Sequence, residues 1–325
     1  MNKKQVVIVG AGPCGISAAI ECEKAGCDVT LIEKGNIVNA LYHYPTHQQF
    51  FSTSEKLAIG DIPFYSTERK PKRNEALVYY RKVAEEYDLH INAFEEVQSI
   101  HQQSDGKFTV ETKKKNNDIK TYQSDAVIIA TGYYDSPNYL GVPGEEQNHV
   151  LHYFHEAHPF FNQKVAVIGG KNSAVDAALE LEKAGAEVTV YYRDNDYSSS
   201  IKPWILPEFE SLVRHGKITM HFNTAIESIG KDTITVNHEK LNRQTYDADF
   251  VFAMTGYHPD HSFIRSMGVK VDEASGRPEY DPETMETNVP GIYIAGVIAA
   301  GNNANEIFIE NGRHHGELIA KSIIV

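Results

Sequence analysis

The feature of this sequence that most constrains its fold is an internal repeat. Residues 6–34 (VVIVGAGPCGISAAIECEKAGCDVTLIEK) align without gaps on residues 165–193 (VAVIGGKNSAVDAALELEKAGAEVTVYYR), an offset of 165 − 6 = 159 positions. Each copy has an apolar run, a turn of small residues, apolar positions at helical spacing, a glycine that ends the helix (Gly26, Gly185) and a second apolar run. This pattern predicts a βαβ unit in each copy. A repeat this long indicates a duplicated domain and not a solenoid.

A second, shorter similarity follows each copy. Residues 126–132 (AVIIATG) and 250–256 (FVFAMTG) are apolar runs that end in Thr-Gly. We therefore predict an α/β fold of two Rossmann-like dinucleotide-binding domains, βαβ with three-layer ββα character, in which the second domain is inserted into the first. The predicted boundaries are 1–135 and 257–325 for the discontinuous domain and 136–256 for the inserted one.

The composition of the intervening segments predicts how the domains connect. Residues 133–163 are rich in proline, glycine and aromatic residues, which is typical of a crossing linker. The return crossing is expected near residues 257–259. The polar stretches 113–118 and 239–246 are predicted to be hairpin tips in small antiparallel sheets.

The charge argues against nucleic acid and anionic membranes as partners, and the cysteines indicate the compartment. The formal net charge of the 325 residues is −13, whereas proteins that attract nucleic acid or anionic membranes are usually basic. No apolar run approaches the ~18 residues of a membrane span, and the glycine-broken start of the chain is interpreted as a strand and turn and not as a signal peptide. The three cysteines show neither a disulfide framework nor metal-ligand spacing, so we expect a reducing cytoplasm and no metal.

The first glycine-rich turn has the residues of a dinucleotide site. Gly10 permits the tight turn, Gly12 lets the backbone approach a pyrophosphate, and Gly15 allows close packing of helix on strand. The helix start offers unpaired N–H groups and a positive dipole end, and Glu33 ends the second strand where a carboxylate can bind ribose hydroxyls. We predict FAD here, with cofactor-binding residues Gly10, Gly12, Pro13, Cys14, Gly15, Glu33 and Lys34.

The second turn differs in ways that predict NADPH. Lys171 replaces the second glycine, so that either the turn opens wider or the ammonium points at a phosphate. Tyr192 and Arg193 stand where the first copy has Glu33; loss of the acid removes the repulsion of a 2′-phosphate, and Arg193 can bind it. Lys202 is either a second cation for that phosphate or a solvated loop charge. The predicted cofactor-binding residues are Gly169, Gly170, Lys171, Asn172, Ser173, Ala174, Arg193 and Lys202.

The layout resembles the low-molecular-weight thioredoxin reductase group over nearly the whole chain. The segments GAGPCG, GGKNSAVDAALEL, IKPWILPEF and AGNNANEIFIENGRHHG resemble the YpdA family within that group. The resemblance implies an FAD- and NADPH-dependent reductase of bacillithiol disulfide that forms at least a dimer, and a flavin wrapped by the tract 42–51. The further cofactor-binding residues that it implies are His47, Gln48, Ala130, Thr131, Gly132, Gly256, Gly296 and Val297.

Two departures from the wider group bear on chemistry. No cysteine follows Cys27, which excludes the dithiol relay of a thioredoxin reductase. The late motif reads Ala295-Gly296-Val297, whereas the group usually has Ala-Gly-Asp, so the bond to the flavin ribityl chain is expected to come from backbone or water.

Cys14 is the candidate catalytic residue. At the first turn of a helix we expect its thiol pKa to be lowered, and the thiolate could attack a disulfide. The alternative is that a small cysteine merely packs there, as Cys22 and Cys27 are expected to pack elsewhere. His314 and His315 are weaker candidates, as a proton source near the flavin.

Three functions stay open from the sequence. The first is an NADPH- and FAD-dependent disulfide reductase acting through Cys14. The second is a thioredoxin-reductase-like ferredoxin or flavodoxin NADP reductase, which needs a basic docking patch that a charge of −13 does not favour. The third is a redox sensor that binds both nucleotides without turnover.

Overall fold

The computed structural model describes residues 3–240, 242–303 and 305–324. The chain forms two units. The first contains the chain up to His43, His47–Ser136 and the residues from Tyr257 onward, and the second contains Tyr44–Thr46 and Pro137–Gly256. With the sheets given below, the predicted pair of Rossmann-like domains, one inserted into the other, is confirmed.

Strands and helices alternate within each repeated copy, and runs of consecutive strands follow both copies. The strands are β1 (Gln5–Val9), β2 (Asp28–Glu33), β3 (Ile91–Ala93), β4 (Glu95–Gln102), β5 (Phe108–Lys114), β6 (Ile119–Ser124), β7 (Ala126–Ile129), β8 (Val150–Leu151), β9 (Lys164–Ile168), β10 (Glu187–Tyr191), β11 (Ile218–His221), β12 (Thr224–Ile229), β13 (Thr233–His238), β14 (Asn242–Asp247), β15 (Phe250–Ala253) and β16 (Ile292–Ile294). The α-helices are α1 (Pro13–Lys24), α2 (Asn39–Tyr42), α3 (Ser54–Leu57), α4 (Arg73–Glu86), α5 (Asn172–Lys183), α6 (Leu206–Arg214), α7 (His261–Ser266), α8 (Ile309–Gly312) and α9 (His315–Ile323).

The core of the first unit is a parallel sheet with the strand order β16-β7-β1-β2-β3. Its central strands are almost continuously buried and apolar, as expected for a parallel sheet covered on both faces. Helix α9 crosses α1 closely, since a Cβ at Gly316 would lie 2.7 Å from the Ala18 Cα. The parallel pairing brings the carboxyl ends of β1, β7 and β16 to one edge.

The second unit repeats this plan with the parallel order β11-β10-β9-β15-β8. The crossing between the units lies within residues 133–163, as predicted, and the same range also contributes strand β8, which pairs with β15 and was not predicted. The physical reason is burial: Val150, within that range, is 8% exposed and packs in the apolar core with Ala166 and Val251.

A small antiparallel sheet accompanies each parallel one, β4-β5-β6 in the first unit and β12-β13-β14 in the second. The hairpin tip predicted at 113–118 is confirmed, because β5 ends at Lys114 and β6 begins at Ile119. The tip predicted at 239–246 is too long, because β14 starts at Asn242 and pairs with β13 along its length.

The two repeated helices end in the same way. Gly26 and Gly185 have φ of 91° and 88°, a left-handed conformation that glycine adopts without strain. The N–H of Cys27 donates to the Cys22 carbonyl at 3.0 Å, the long-range bond of a Schellman cap. Cys22 and Cys27 are both buried, as predicted. Among the described residues no helix has the length and apolar character needed to cross a bilayer.

Candidate dinucleotide sites

Two of the glycines in the first turn are required by their neighbours. Gly10 has φ of 104°, and a Cβ there would lie 2.5 Å from the Ala130 carbonyl oxygen. A Cβ at Gly15 would lie 2.0 Å from the Gly10 carbonyl oxygen, so helix α1 can sit this close to the turn only with glycine. Gly12 is different: its backbone is extended, and apart from its chain neighbours no atom of the described residues lies within 4 Å of its Cβ position. The space above Gly12 is therefore open to a ligand.

The start of α1 is open as well. Gly12 is its N-cap without any side-chain cap, and Pro13 is its first residue. The first-turn amides of a helix have no partner within the helix, and together with the dipole they favour an anion such as a pyrophosphate. The turn thus fits the phosphates of a dinucleotide on the evidence of its open N-cap glycine and uncapped helix start.

Glu33 is held rigidly beside this turn. It is 7% exposed, and its two oxygens accept the N–H of Ala11 at 2.9 Å and of Gly35 at 2.8 Å. Burial raises the pKa of the carboxyl, while the two backbone bonds lower it. Lys34 turns instead to an ion pair with Asp135, 3.0 Å from Nζ to Oδ2.

Other predicted residues of the first unit meet the turn at the carboxyl edge of the sheet. Ala130 donates to the Val9 carbonyl at 2.8 Å, and Ala295 donates to the Ile129 carbonyl at 2.9 Å, so the segments 130–132 and 296–297 follow directly from adjacent strands. Gln48 is attached elsewhere, because its carbonyl accepts the N–H of Arg73 at the start of α4 at 2.8 Å.

Cys14 lies under two glycines that come much later in the chain. A Cβ at Gly296 would lie 3.1 Å from the Cys14 Sγ, and a Cβ at Gly312 would lie 2.9 Å from it. Burial raises the pKa of the Cys14 thiol to about 12. The predicted lowering of this pKa is therefore wrong, because burial of the sulfur disfavours the charged thiolate, although the residue as a whole is only half-buried.

His315 touches the same backbone. The Gly296 N–H donates to the His315 Nδ1 at 3.1 Å. Burial, with His314 adding to it, lowers the pKa of His315 to about 4, so that the ring is neutral near pH 7 and carries its proton on Nε2. His314 Nε2 accepts from Arg313 Nε at 3.2 Å.

In the second turn, as in the first, the neighbouring strand leaves no room for a side chain at the first glycine. A Cβ at Gly169, which has φ of 135°, would lie 2.5 Å from the Met254 carbonyl oxygen, and a Cβ at Gly170 would lie 2.4 Å from the Tyr192 ring. Lys171 is the exposed N-cap of α5 with φ of −110° and ψ of −173°, an extended backbone that any residue adopts. The turn therefore does not need to open wider to accommodate a lysine.

Asn172 connects this turn to the loop that carries Lys202. Its Nδ2 donates to the Ser200 carbonyl and its Oδ1 accepts the Lys202 N–H, both at 2.9 Å. Arg193 is 83% exposed, with its Nε 4.0 Å from the Asp194 carboxylate. The second turn thus has an uncapped helix start and exposed cations nearby, which fits a phosphorylated dinucleotide.

The remaining predicted residues of the second turn differ in exposure. Ser173 is exposed and Ala174 is buried against Gly169, whose Cβ position is 3.2 Å from the Ala174 Cβ. Gly256 accepts the N–H of Asn138 at 2.9 Å. No group of His, Cys, Asp and Glu in the described ranges could hold a metal ion.

Two residues at the first site were not predicted from the sequence. Gly312 covers Cys14, and Val38 donates its N–H to the Ala11 carbonyl at 2.9 Å from a left-handed backbone with φ of 50°. A β-branched residue in that conformation is strained. Gly312 could have been found, because it lies in the glycine-bounded late segment of the sequence. Nothing in the sequence predicts the position of Val38.

Comparisons with known proteins extend these observations. The model of the family described as pyridine nucleotide-disulphide oxidoreductase matches residues 7–296. The chain is 56% identical over 323 residues to "Bacilliredoxin reductase Bdr" of Bacillus subtilis, covering 99% of this chain and 98% of the relative. Solved structures of "Bacillithiol Disulfide Reductase Bdr (YpdA)" are similar over 99% of this chain: that of Bacillus cereus (57% identity, 99% of its chain, TM-score 0.97) and that of Staphylococcus aureus (54%, 98%, TM-score 0.93).

The matches cover both glycine-rich turns and nearly the full length of each relative. Together with the two open turns, they make this chain an oxidoreductase that uses FAD and NADPH, of the disulfide reductase type. The chain belongs to the pyridine nucleotide-disulphide oxidoreductase family and, within it, to the Bdr (YpdA) group.

Proposed function

We propose that this protein reduces bacillithiol disulfide to two molecules of bacillithiol. The overall reaction takes NADPH, a proton and the disulfide to NADP⁺ and two thiols. The observation that carries the proposal is the similarity, over 99% of both chains at 57% identity, to the Bacillus cereus protein named for this activity. The absence of any cysteine after Cys27 also supports a small disulfide, because no dithiol is present to serve a thioredoxin.

The cofactors are assigned to the two units on the chemistry of their turns. In the first unit Gly10, Gly12 and the start of α1 would hold the FAD pyrophosphate, and Glu33 would bind the ribose. In the second unit the start of α5 would hold the NADPH pyrophosphate, and Arg193 would bind the 2′-phosphate, with Lys202 close to the turn. When bound by the residues of the first unit, FAD would supply the redox chemistry that links NADPH oxidation to disulfide reduction.

The proposed role of Cys14 is to form a mixed disulfide. Its thiol gives up a proton, Sγ attacks one sulfur of the substrate, the S–S bond breaks, and the first bacillithiol leaves as a thiol. Two electrons and two protons then cleave the Cys14–bacillithiol bond, releasing the second thiol and restoring the Cys14 thiol. Because burial raises the pKa of the Cys14 thiol, the proposed mechanism has the thiol lose its proton as the substrate binds.

Two measurements test this function. NADPH oxidation is expected to depend on added bacillithiol disulfide, and Cys14→Ala is expected to lower that rate at least about 100-fold. NADPH alone should still bleach the flavin band of Cys14→Ala in the absence of oxygen. A Cys14→Ala protein that turns over the disulfide like the parent would remove the thiol from the mechanism. If NADPH bleaches the flavin of the parent protein but no disulfide is turned over, bacillithiol disulfide is ruled out as the substrate.

A protein acceptor is the second candidate. The Bacillus subtilis relative is named for the reduction of bacilliredoxin, not of the small disulfide. The same NADPH assay with oxidised bacilliredoxin in place of the small disulfide compares the two, and the acceptor with the higher kcat/KM is the assigned substrate.

We also propose that the protein acts in the cytoplasm as a homo-oligomer. All three cysteines are free, which suits a reducing compartment, and the net charge of −13 gives no attraction to nucleic acid. Light scattering during size-exclusion chromatography measures the assembly, and a 36 kDa particle would contradict it.

A further inference from the structure

The backbone next to Cys14 is held by a side chain from another segment. Gly296 follows strand β16 with φ of 82°, a conformation that favours glycine. Its N–H is the donor of the 3.1 Å bond to the His315 Nδ1. A backbone N–H that loses its partner in a buried position costs free energy, so this bond fixes where Gly296 sits.

Gly296 in turn forms one wall around the Cys14 sulfur. Its Cβ position is 3.0 Å from the Cys14 Cβ and 3.1 Å from Sγ. The second wall is Gly312, whose Cβ position is 2.9 Å from Sγ and 3.1 Å from the Gly296 Cα. The thiol, Gly296 and Gly312 are therefore in mutual contact, and a shift of Gly296 changes the space around the sulfur.

The geometry of His315 argues against a role as the proton source considered from the sequence. Its Nδ1 is occupied as an acceptor, and a ring that is neutral near pH 7 has no excess proton to give. At Nδ1 the imidazole is bonded to the backbone of Gly296, the glycine that itself contacts the Cys14 thiol.

We propose that His315 is a positioning residue for Cys14: by accepting the Gly296 N–H, it holds the glycine wall against the sulfur and keeps the thiol in one position. The inference rests on the catalytic role proposed above for Cys14. It gives a reason for a histidine at this position that does not involve proton transfer.

Two substitutions of His315 distinguish the loss of its hydrogen-bond acceptor from the loss of its imidazole ring. His315→Asn keeps an oxygen acceptor at the δ position, where Nδ1 stands, whereas His315→Leu has a methyl group there and no acceptor. The FAD-loaded proteins are treated with iodoacetamide at fixed pH, and alkylation of the Cys14 peptide is followed by mass spectrometry, with buried Cys22 and Cys27 as internal references. Disulfide turnover, NADPH reduction of the flavin and thermal unfolding are measured on the same samples.

We expect the rate of Cys14 alkylation to rise and the kcat for the disulfide to fall. In His315→Leu, Cys14 alkylation should become about tenfold faster as the wall loosens, and the kcat for the disulfide should fall by about the same factor. His315→Asn should stay within about threefold of the parent in both, and flavin reduction by NADPH should be unchanged in all three. A purely structural role would lower FAD content and thermal stability without this opposite movement.

Several outcomes would overturn the inference. Parent-like alkylation in His315→Leu would show that the wall does not depend on the acceptor, and equal losses in the leucine and asparagine variants would show that the ring acts by other means. If His315→Leu does not retain FAD, His315→Gln replaces it, because its acceptor lies one bond further out and should again loosen the wall relative to asparagine. Alkylation reports on the wall even where no disulfide is turned over, so failure of the proposed function and failure of this inference are distinguishable.

Discussion

The first and second glycine-rich turns have a common backbone plan and differ in what surrounds it. At the first glycine the two are alike: a Cβ at Gly10 or at Gly169 would lie 2.5 Å from a carbonyl oxygen of the neighbouring strand's end. At the third they differ, because Gly15 has no room for a Cβ whereas Ala174 carries one. The first glycine of each turn is thus required by the neighbouring strand of the sheet. The third is required only where the helix lies very close to the turn, as α1 does.

The positions between these glycines teach a second lesson. Lys171 occupies the place of Gly12, and the backbone is extended at both residues, so chain conformation does not require glycine at this position. Ser173 is exposed at the place where Cys14 is covered by Gly296 and Gly312. The covering comes from a late segment of the first unit that has no counterpart in the repeated sequence.

The largest expected effect comes from making the first turn like the second. Gly15→Ala should destabilise the first unit by about 3 kcal/mol, because the new methyl group meets the Gly10 carbonyl, and FAD should be lost. The reverse change, Ala174→Gly, should cost only about 1 kcal/mol. Urea unfolding and flavin absorbance per protein measure both. A Gly15→Ala protein with full FAD content would contradict the packing described for α1.

Removing the cation that distinguishes the second turn should change nucleotide preference. Arg193→Ala should raise the KM for NADPH about 10- to 100-fold, since charge-assisted bonds to a phosphate are lost, and leave the KM for NADH within about twofold. Lys34→Ala is the matched control, because Lys34 is the aligned residue of the first copy and pairs with Asp135. Equal changes for both nucleotides in Arg193→Ala would place the 2′-phosphate elsewhere.

The next comparison sets the covered thiol against an exposed one. Because burial raises the pKa of Cys14 to about 12, its thiolate fraction, and with it its iodoacetamide rate, should rise about tenfold per pH unit from pH 7 to 10 without levelling off. Ser173→Cys in a Cys14→Ala background places a thiol at the aligned exposed position. Its rate should level off above about pH 9, near the ordinary thiol pKa or below it. A plateau for Cys14 below pH 9 would contradict the burial effect.

The smallest effect is expected where the two turns differ without strain. Lys171→Gly restores the second glycine and should change the free energy of unfolding by no more than about 0.5 kcal/mol, because the backbone is already extended and glycine is accepted at an N-cap. If the ammonium binds a phosphate, the KM for NADPH should rise by about threefold. A stability change above about 1 kcal/mol would show that the lysine side chain makes a contact that stabilises the folded protein.

Local signals explain why so much of the fold was predictable. The apolar runs of β1, β9, β7 and β15, the glycine turns and the left-handed stops at Gly26 and Gly185 are each encoded within a few residues. The insertion of one domain into the other was predictable as well, because the internal repeat gives the position of both domains along the chain. Strand β8 was not predicted, because two apolar residues give no periodicity and gain strand structure only from their neighbour β15.

The environment of Cys14 was not predictable for a different reason. The helix start is a local signal and suggested a lowered thiol pKa, whereas the groups that bury the sulfur lie 296 − 14 = 282 and 312 − 14 = 298 positions later in the chain. Sequence spacing contains no information on such a contact. The left-handed Val38 is the same kind of case, since its N–H donates to the carbonyl of Ala11, a residue far earlier in the chain.

The discontinuity of the first unit has a consequence for the order of events during synthesis. The ribosome delivers Pro137–Gly256, the larger part of the second unit, before it delivers β16, Gly312 and α9, which complete the edge of the first sheet and cover Cys14. Domains fold as units while the chain emerges. The second unit can therefore fold on the ribosome while the first still lacks a strand and a helix, and the Cys14 thiol stays uncovered until the late segment has emerged.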